Sequence, residues 1–248
     1  CQHRSRITRE VFVKQFAIIG LGAFGIRMLE ELLDVTDEII IIDKDKEIIE
    51  KYKDKARAAY VTDAINEIAL SKIIPEDIDA VIVDLGGKIE VSIMTTNYLK
   101  KIGVKNIMVK AQTDEHGEVL SMVGATQVIF PDREAAKRIT PMLVSSLLFN
   151  YLPISDNLAL AEVRANEFCA GKTLIEANLR KEFGLNVVAM RRLDQDDFHF
   201  ISDPSYVFTD DDVLLVAGHE EGIEKFSHEA SVPKKNVGGY FKSFFPKR

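Results

Sequence analysis

Three glycines near the start of the sequence have the spacing of a phosphate-binding turn. Gly20, Gly22 and Gly25 lie in the stretch FAIIGLGAFGIRMLEELLD, residues 16–34. In such a turn the first glycine permits a tight bend, the second lets the backbone approach a pyrophosphate, and the third lets a helix pack closely on a strand. The helix offers free N–H groups and the positive end of its dipole to the phosphates. The spacing predicts a bound nucleotide, which an enzyme would use as a reagent and a regulatory protein as a signal.

The next apolar run ends in an acidic residue suited to the ribose of such a nucleotide. Asp43 closes the run IIIID, about 20 residues beyond the glycines, where a carboxylate accepts hydrogen bonds from ribose hydroxyls. An acid at this place disfavours a 2′-phosphate, so the residues favour an adenine nucleotide or NAD over NADP. The alternative is a vestigial site whose glycines serve packing only.

Three further polar segments follow apolar runs: TDA at 62–64, DLGG at 84–87 and KAQ at 110–112. Ligands bind outside the carboxyl ends of parallel strands. Asp63 is therefore a candidate contact of the adenine amino group, and Lys110 of the ribose or phosphates. Asp63 is also a candidate N-cap of the next helix.

Composition argues against several other classes of function. The 248 residues carry a formal net charge of −7, whereas duplex nucleic acid is bound by basic surfaces. No apolar run reaches about 18 residues, the length that spans a membrane. The two cysteines, Cys1 and Cys169, predict free thiols in a reducing compartment, and the first residues lack the apolar core of a secretory signal. We expect a cytoplasmic protein.

The first half of the chain alternates short apolar runs with amphipathic stretches. The runs lie at 16–19, 39–42, 58–61, 80–83, 106–109 and 127–130, with helical patterns at 24–34, 45–54, 64–73, 89–101 and 115–123. Runs that are apolar throughout indicate strands buried on both faces, as in a parallel sheet covered by helices. The pattern predicts an α/β fold, a Rossmann-like doubly wound parallel sheet.

The second half has a different pattern. A mostly apolar stretch at 133–152, interrupted at Pro141, predicts one long helix that is buried against its own domain or another subunit. A change of composition at PISDN, residues 153–157, predicts a domain boundary. Beyond it, ALAEVR, NVVAMRR, FHFIS and DVLLVAG predict strands, and 173–183 and 220–228 predict helices, which together make a small α+β domain.

No catalytic centre accompanies the predicted nucleotide site. The sequence has no nucleophile elbow, no Walker A motif and no metal-ligand cluster. No His or Lys is paired with a carboxylate in an evident second pocket. We therefore expect that the protein is not an enzyme.

Five longer segments resemble a known family. They are IIGLGAFG, IIIIDKDKE, AVIVDLGGKIEVSIMTT, VKAQTDEHGEVLSMVGATQVIFPDREAAKRI and GKTLIEANLRKEFGLNVVAMRR. Together they look like the cytosolic regulatory subunits of Ktr/Trk potassium uptake systems, which have a regulator of potassium conductance (RCK) domain and an RCK C-terminal domain. The resemblance extends over residues 16–227.

The resemblance implies a non-catalytic nucleotide sensor at the cytosolic face of a membrane-embedded potassium-translocating subunit. Such chains form dimers that assemble into a homo-octameric ring, and the ligands are ATP, ADP or NAD(H). The implied domains are an RCK N-terminal domain at 16–133, a crossover helix and linker at 134–155 that pairs subunits, and an RCK C-terminal domain at 156–227, with tails at 1–15 and 228–248. The implied nucleotide site comprises Gly20, Gly22, Ala23, Phe24, Gly25, Asp43, Lys44, Asp63, Ala64, Leu85, Gly86 and Lys110.

The sequence departs from the family pattern at two positions. Members that sense the ATP γ-phosphate often have an Arg at the position of Ala23, and this Arg reaches across the dimer; Arg27 is the candidate substitute. The family's cation-binding Glu aligns with Asp132, whose oxygens suit Mg²⁺ or Ca²⁺ at a dimer interface. The alternative role for Asp132 is capping of the helix that follows.

The C-terminal domain also resembles relatives that bind cyclic di-AMP. The matching positions are Leu174, Ile175, Arg180, Asn186 and Val187, where Arg would contact the phosphate and Asn the base. The alternative is that the three apolar residues are ordinary core residues. Two other functions stay open for the whole chain, an NAD(H)-dependent oxidoreductase and an NADH sensor that acts on another partner.

Overall fold

The structure of the protein is a computed structural model that describes residues 14–201, 203 and 205–228. The predicted tails therefore lie almost wholly outside the described residues. The chain divides into two compact units, Cys1–Pro131 and Asp132–Arg248. Among the described residues, no helix has both the length and the apolar character needed to cross a membrane.

The first unit is a parallel six-stranded sheet flanked by helices, which confirms the predicted fold. The strands are β1 (Phe16–Ile19), β2 (Ile39–Asp43), β3 (Ala58–Val61), β4 (Ala80–Val83), β5 (Ile107–Lys110) and β6 (Gln127–Ile129). The helices are α1 (Ala23–Leu33), α2 (Lys46–Tyr52), α3 (Glu67–Ile73), α4 (Ile89–Ile102) and α5 (Asp114–Val123), with a short 3₁₀ turn at Lys53–Lys55. The strand order is β3-β2-β1-β4-β5-β6. From β1 to β3 the strands are added towards one edge of the sheet, and from β4 to β6 towards the other, so the switch point lies between β1 and β4.

Burial on both faces explains why the strands are apolar throughout. Ala17 and Ile19 pack in one hydrophobic cluster, whereas Ile18 packs in a second cluster with Ile39 and Ile41. Neighbouring side chains of a strand point to opposite faces, so each face of the sheet has its own apolar layer. Helices cover both layers, and the polar residues that follow each strand are left at one edge.

The second unit is built on an antiparallel sheet. After α6 (Pro131–Val144) come β7 (Leu148–Ser155), β8 (Leu158–Arg164), α7 (Leu174–Ala177), α8 (Leu179–Phe183), β9 (Asn186–Arg192), β10 (Asp212–Gly218) and α9 (Glu220–Ser227). The sheet order is β7-β8-β10-β9. Phe208, Leu214 and Phe226 are fully buried in its core.

The long helix predicted over 133–152 is wrong in its second half. The helix ends at Val144, and Leu148–Ser155 form a strand paired with β8. The side chain of Ser145 contributes to this ending, since its Oγ accepts from the N–H of Leu147 and donates to the carbonyl of Ser227 at 2.5 Å. Within the segment PISDN, Pro153–Ser155 end β7, and Asp156 and Asn157 form the turn that leads into β8. The domain boundary expected at this segment stays a prediction.

Two other expectations for the second unit need correction. In the described part of FHFIS, residues 198–201, His199 forms one bridge with Met190, and these four residues do not form a full strand. The helix predicted over 173–183 is divided at Asn178, whose φ of 45° is left-handed. The buried Cys169 is a free thiol, as predicted, whereas Cys1 lies outside the described residues.

Candidate functional site

All three glycines of the turn after β1 are required by the protein's own packing. Gly20 has φ +90°, and a Cβ there would lie 2.0 Å from the carbonyl oxygen of Asp84. A Cβ on Gly25 would lie 2.1 Å from the carbonyl oxygen of Gly20, and one on Gly22 would lie 2.6 Å from Oδ2 of Asp84. The structure thus gives Gly22 a steric reason that does not depend on a pyrophosphate, and the spacing alone does not demonstrate a ligand.

The start of α1 nevertheless has the donors that an anion needs. Its N-cap, Gly22, has no side chain to cap the helix, and the backbone N–H groups of Ala23 and Phe24 meet no acceptor among the described residues. Gly22 and Ala23 are exposed. Free N–H groups at a helix N-terminus, together with the helix dipole, make a phosphate-binding position. The turn therefore fits the phosphates of a nucleotide.

The carboxylate of Asp43 is held rigidly beside this turn. Its Oδ2 accepts from the N–H of Leu21 at 2.7 Å, and its Oδ1 accepts from the N–H of Asp45 at 2.8 Å. Each carboxylate oxygen keeps a further lone pair, which a ribose hydroxyl can use. The two backbone bonds link the end of β2 to the glycine turn.

The charges of Lys44 and Lys88 influence each other, and the charges of Asp43 and Asp63 also act on Lys88. The neighbouring ammonium of Lys44 lowers the pKa of Lys88, while Asp63 and Asp43 act in the opposite direction. Lys88 is the N-cap residue of α4 and was not among the residues singled out in the sequence. Two like charges that repel each other favour a bound anion, because an anion relieves their repulsion.

Asp63 is exposed in the same region, and its neighbour Ala64 is buried. The carboxylate of Asp63 accepts from the N–H of Ile65 at 3.3 Å. The suggestion that Asp63 caps the next helix is wrong, because Asn66 is the N-cap of α3 and accepts from the N–H of Ala69 at 3.0 Å.

The end of β4 contributes Asp84, which the sequence placed in the strand-end segment DLGG without a specific role. Asp84 is 3% exposed, and its Oδ2 accepts from the N–H of Gly25 at 3.0 Å. Lys110, at the end of β5, places its Nζ 3.9 Å from Oδ1 of Asp84. Leu85 lies against Gly20, and Gly86 is exposed with φ +58°. The apolar run before DLGG is the sequence feature that points to Asp84, since it predicts a strand that ends there.

A buried histidine supports the loop after β5. Nε2 of His116 lies 2.8 Å from Oγ of Ser92. Nδ1 of His116 accepts a hydrogen bond from the backbone N–H of Gln112 at 3.3 Å. The Ser92 hydroxyl donates to the carbonyl of Ile89, so these hydrogen bonds assign the ring proton to Nε2. Burial lowers the pKa of His116, which favours this neutral form.

The two residues considered for recognition of a phosphate or a cation, Arg27 and Asp132, are both exposed. Arg27 pairs with Glu30 of its own helix at 2.6 Å and is exposed. Asp132 is exposed in the first turn of α6. The described part of the chain contains no group of three or more His, Cys, Asp or Glu that could hold a metal ion.

The five candidate residues of the second unit have different environments. Leu174 in α7 and Val187 in β9 pack against the domain core. Ile175 is 74% exposed and is therefore not a core residue. Arg180 in α8 and Asn186 in β9 are also exposed. Three of the five side chains are thus available at the surface of this unit.

Known families match most of the chain. Residues 16–131 match the TrkA-N domain and residues 158–230 match the TrkA-C domain. "Ktr system potassium uptake protein C" of Bacillus subtilis (strain 168) is 37% identical over 215 residues, covering 86% of this chain and 96% of that protein. "Ktr system potassium uptake protein A" of the same organism is 31% identical over 216 residues, covering 87% and 96%.

Solved structures share the fold at lower identity. The "GsuK Channel" is 17% identical with a TM-score of 0.62, and covers 89% of this chain. The "GsuK channel bound to NAD" is 17% identical with a TM-score of 0.63, and covers 91%. This chain spans 40% and 41% of those two chains. At this identity the likeness shows the fold alone.

Proposed function

The chain belongs to the family of the Ktr system potassium uptake proteins, and we propose from this that it is a nucleotide-sensing regulatory subunit of a potassium transporter. The single observation that carries the nucleotide part is the start of α1. Its uncapped N–H groups at Ala23 and Phe24 lie at the carboxyl edge of a parallel sheet, where this fold binds nucleotides.

Different residues around the turn would bind different parts of the nucleotide. The free N–H groups of the turn would hold the phosphates, and Asp43 would hold the ribose hydroxyls while its two backbone bonds keep it oriented. Lys44 and Lys88 would add positive charge, and Asp63 would contact the adenine amino group. The ligand class is an adenine nucleotide, either ATP and ADP or NAD and NADH.

We infer that the response is conformational and not catalytic. The described residues around the turn offer donors, acceptors and charge, but the pairing of a base with a second substrate pocket, which hydride transfer needs, has no counterpart in the site as described. A ligand shifts a protein between two conformations only through a difference in affinity for them. Phosphates on the glycine turn would supply that difference.

The remaining parts of the proposal concern assembly and further ligands. The partner would be a membrane-embedded potassium-translocating subunit, and the protein would lie at the cytoplasmic face of the membrane as a homodimer within a homo-octameric ring. Asp132 would bind Mg²⁺ or Ca²⁺ only with ligands from a second copy. Cyclic di-AMP would contact Ile175, Arg180 and Asn186, which are exposed, beside Leu174 and Val187.

Calorimetric titration with ATP, ADP and NADH tests the nucleotide site. Asp43→Asn is expected to weaken binding by about tenfold, because a charged acceptor for the ribose hydroxyls is lost. Asp45→Asn is the matched control, since Asp45 lies two residues away and accepts from the N–H of Glu47 as the N-cap of α2. Equal affinities for the wild-type protein and Asp43→Asn would remove Asp43 from the site.

Solution scattering at saturating nucleotide tests the regulatory part. The profiles with ATP, ADP and NADH are expected to differ, because the ligands should favour different shapes of the assembly. Superimposable profiles at saturation would contradict the switching proposal. Co-purification with the membrane subunit tests the partner, and steady oxidation of NADH by the protein would favour the oxidoreductase instead.

A further inference from the structure

Asp84 is a buried carboxylate placed directly beneath the glycine turn. It follows β4, which lies beside β1 in the sheet, and the residue is 3% exposed. The oxygen Oδ2 lies 2.6 Å from the position that a Cβ on Gly22 would occupy. Since Gly22 itself is exposed at the start of α1, the charge of Asp84 is separated from the phosphate position by little more than the turn.

The hydrogen bond of Asp84 already uses one donor of the helix N-terminus. The N–H of Gly25 donates to Oδ2, so the free donors left for a ligand are those of Ala23 and Phe24. A carboxylate at a helix N-terminus also offsets the positive end of the dipole. Asp84 therefore lowers both the number of donors and the positive potential that a phosphate would meet.

Asp84 also offsets the positive charge of a lysine at the neighbouring strand end. Nζ of Lys110 lies 3.9 Å from Oδ1 of Asp84, and Lys110 is a candidate phosphate contact. An opposite charge at this distance compensates part of the lysine's charge. A phosphate near the ends of β4 and β5 would therefore meet less net positive charge than Lys110 alone would provide.

We propose that Asp84 sets the charge selectivity of the nucleotide site by disfavouring ligands with more phosphate charge. The proposal rests on the proposed function, because it concerns the same site. Each added phosphate brings negative charge near a carboxylate that water screens poorly, and Coulomb repulsion is stronger in such a partly buried setting. The site would therefore favour a nucleotide with few phosphate charges, such as a dinucleotide, over a nucleoside triphosphate.

The structural role of Asp84 can be separated from its charge. An Asn at this position keeps the size of the side chain and an oxygen that accepts from the N–H of Gly25. Asp84→Ser is a second variant, with a smaller side chain that also keeps an oxygen acceptor. Both variants remove the charge, so an effect of charge must appear in both.

Titration with AMP, ADP and ATP in the absence of divalent cations tests the proposal. These ligands share the base and ribose and differ only in the number of phosphates. Asp84→Asn and Asp84→Ser are expected to raise the affinity for ATP by about tenfold relative to AMP, with ADP between them. Asp79→Asn is the matched control, because Asp79 precedes β4 and accepts from the N–H of Gln15 at 2.8 Å, at the opposite end of the strand.

The outcomes separate this proposal from the one on which it rests. If nucleotides bind to the wild-type protein and the ATP-to-AMP ratio is unchanged in both Asp84 variants, the charge role of Asp84 is overturned while the nucleotide site stands. An equal change in the ratio with Asp79→Asn would also overturn it, since the effect would then come from net charge. If neither the wild-type protein nor any variant binds a nucleotide, the proposed function fails and the selectivity proposal fails with it.

Discussion

At the scale of single residues, the burial of His116 makes the stability of the first unit depend on pH through the protonation state of this side chain. Burial lowers its pKa in the folded state below the ordinary 6.5. Below about pH 6.5 the unfolded chain therefore binds more protons than the folded one, and stability falls as the pH falls. Protonation would also put a hydrogen on Nδ1, so that two donors would face each other and the hydrogen bond from the N–H of Gln112 would be lost. We expect the midpoint of urea unfolding to drop between about pH 7.5 and pH 5.5.

His116→Gln tests this dependence, and His199→Gln is the control, because His199 is exposed in the second unit. The pH slope should flatten with His116→Gln and persist with His199→Gln. Burial raises the pKa of Glu220 in the second unit, which gives a slope of opposite sign, so the comparison is made between each variant and the wild-type protein. An unchanged slope in His116→Gln would contradict the assignment.

At the scale of elements, the division between α7 and α8 depends on one residue. Asn178 has φ 45° and ψ 41°, and it is the one non-glycine residue with positive φ in the part of the chain that the structure describes. Left-handed backbone costs about 1–2 kcal/mol for most residues and less for Asn or Gly. Asn178→Ala is therefore expected to lower the free energy of unfolding by about 1 kcal/mol, whereas Asn178→Gly should have a small effect.

Denaturant unfolding measures the Asn178 variants, and Lys181→Ala is the control. Lys181 is exposed within α8, where Ala is a favourable helical residue. If Asn178→Ala and Asn178→Gly unfold at the same denaturant concentration, the backbone conformation at this position does not limit the stability of the unit.

At the scale of the whole molecule, α6 presents apolar side chains to solvent. Leu143 is 81% exposed and Ile139, one helical turn earlier, is 52% exposed. Residues four apart lie on the same side of a helix, so the two side chains form part of one apolar face. We expect this face to be covered by a second copy of the chain, in agreement with the proposed dimer.

Leu143→Glu tests that contact by light scattering coupled to size-exclusion chromatography. The charge should reduce the mass of the assembly, because a carboxylate would be desolvated at an apolar interface. Val35→Glu is the control, since Val35 is a similarly exposed apolar residue, 78%, in the first unit. An unchanged mass with Leu143→Glu would show that α6 does not hold the copies together.

The local pattern of apolar residues predicted the strands of the first unit well. The runs at 16–19, 58–61 and 80–83 coincide with β1, β3 and β4. The central strands β1 and β4 are apolar at every position because helices bury both of their faces. The glycine spacing and Asp43 also located the turn and the carboxylate that lie together in the structure. Local pattern did not determine the end of α6, because the stretch LVSSLLFNYL is apolar enough for a helix or a strand.

What the tertiary structure decided depends on contacts between distant parts of the chain. The pairing of β7 with β8 made Leu148–Ser155 a strand, since the partner supplies the hydrogen bonds that a helix would otherwise make internally. The position of β4 beside β1 brought Asp84 beneath Gly22, 62 residues away along the chain by number, through the register Ile19 to Val83. The sequence by itself determined that a glycine-rich turn joins β1 to α1. Its charge environment was decided only when the sheet order placed a second strand end, and a buried carboxylate, against that turn.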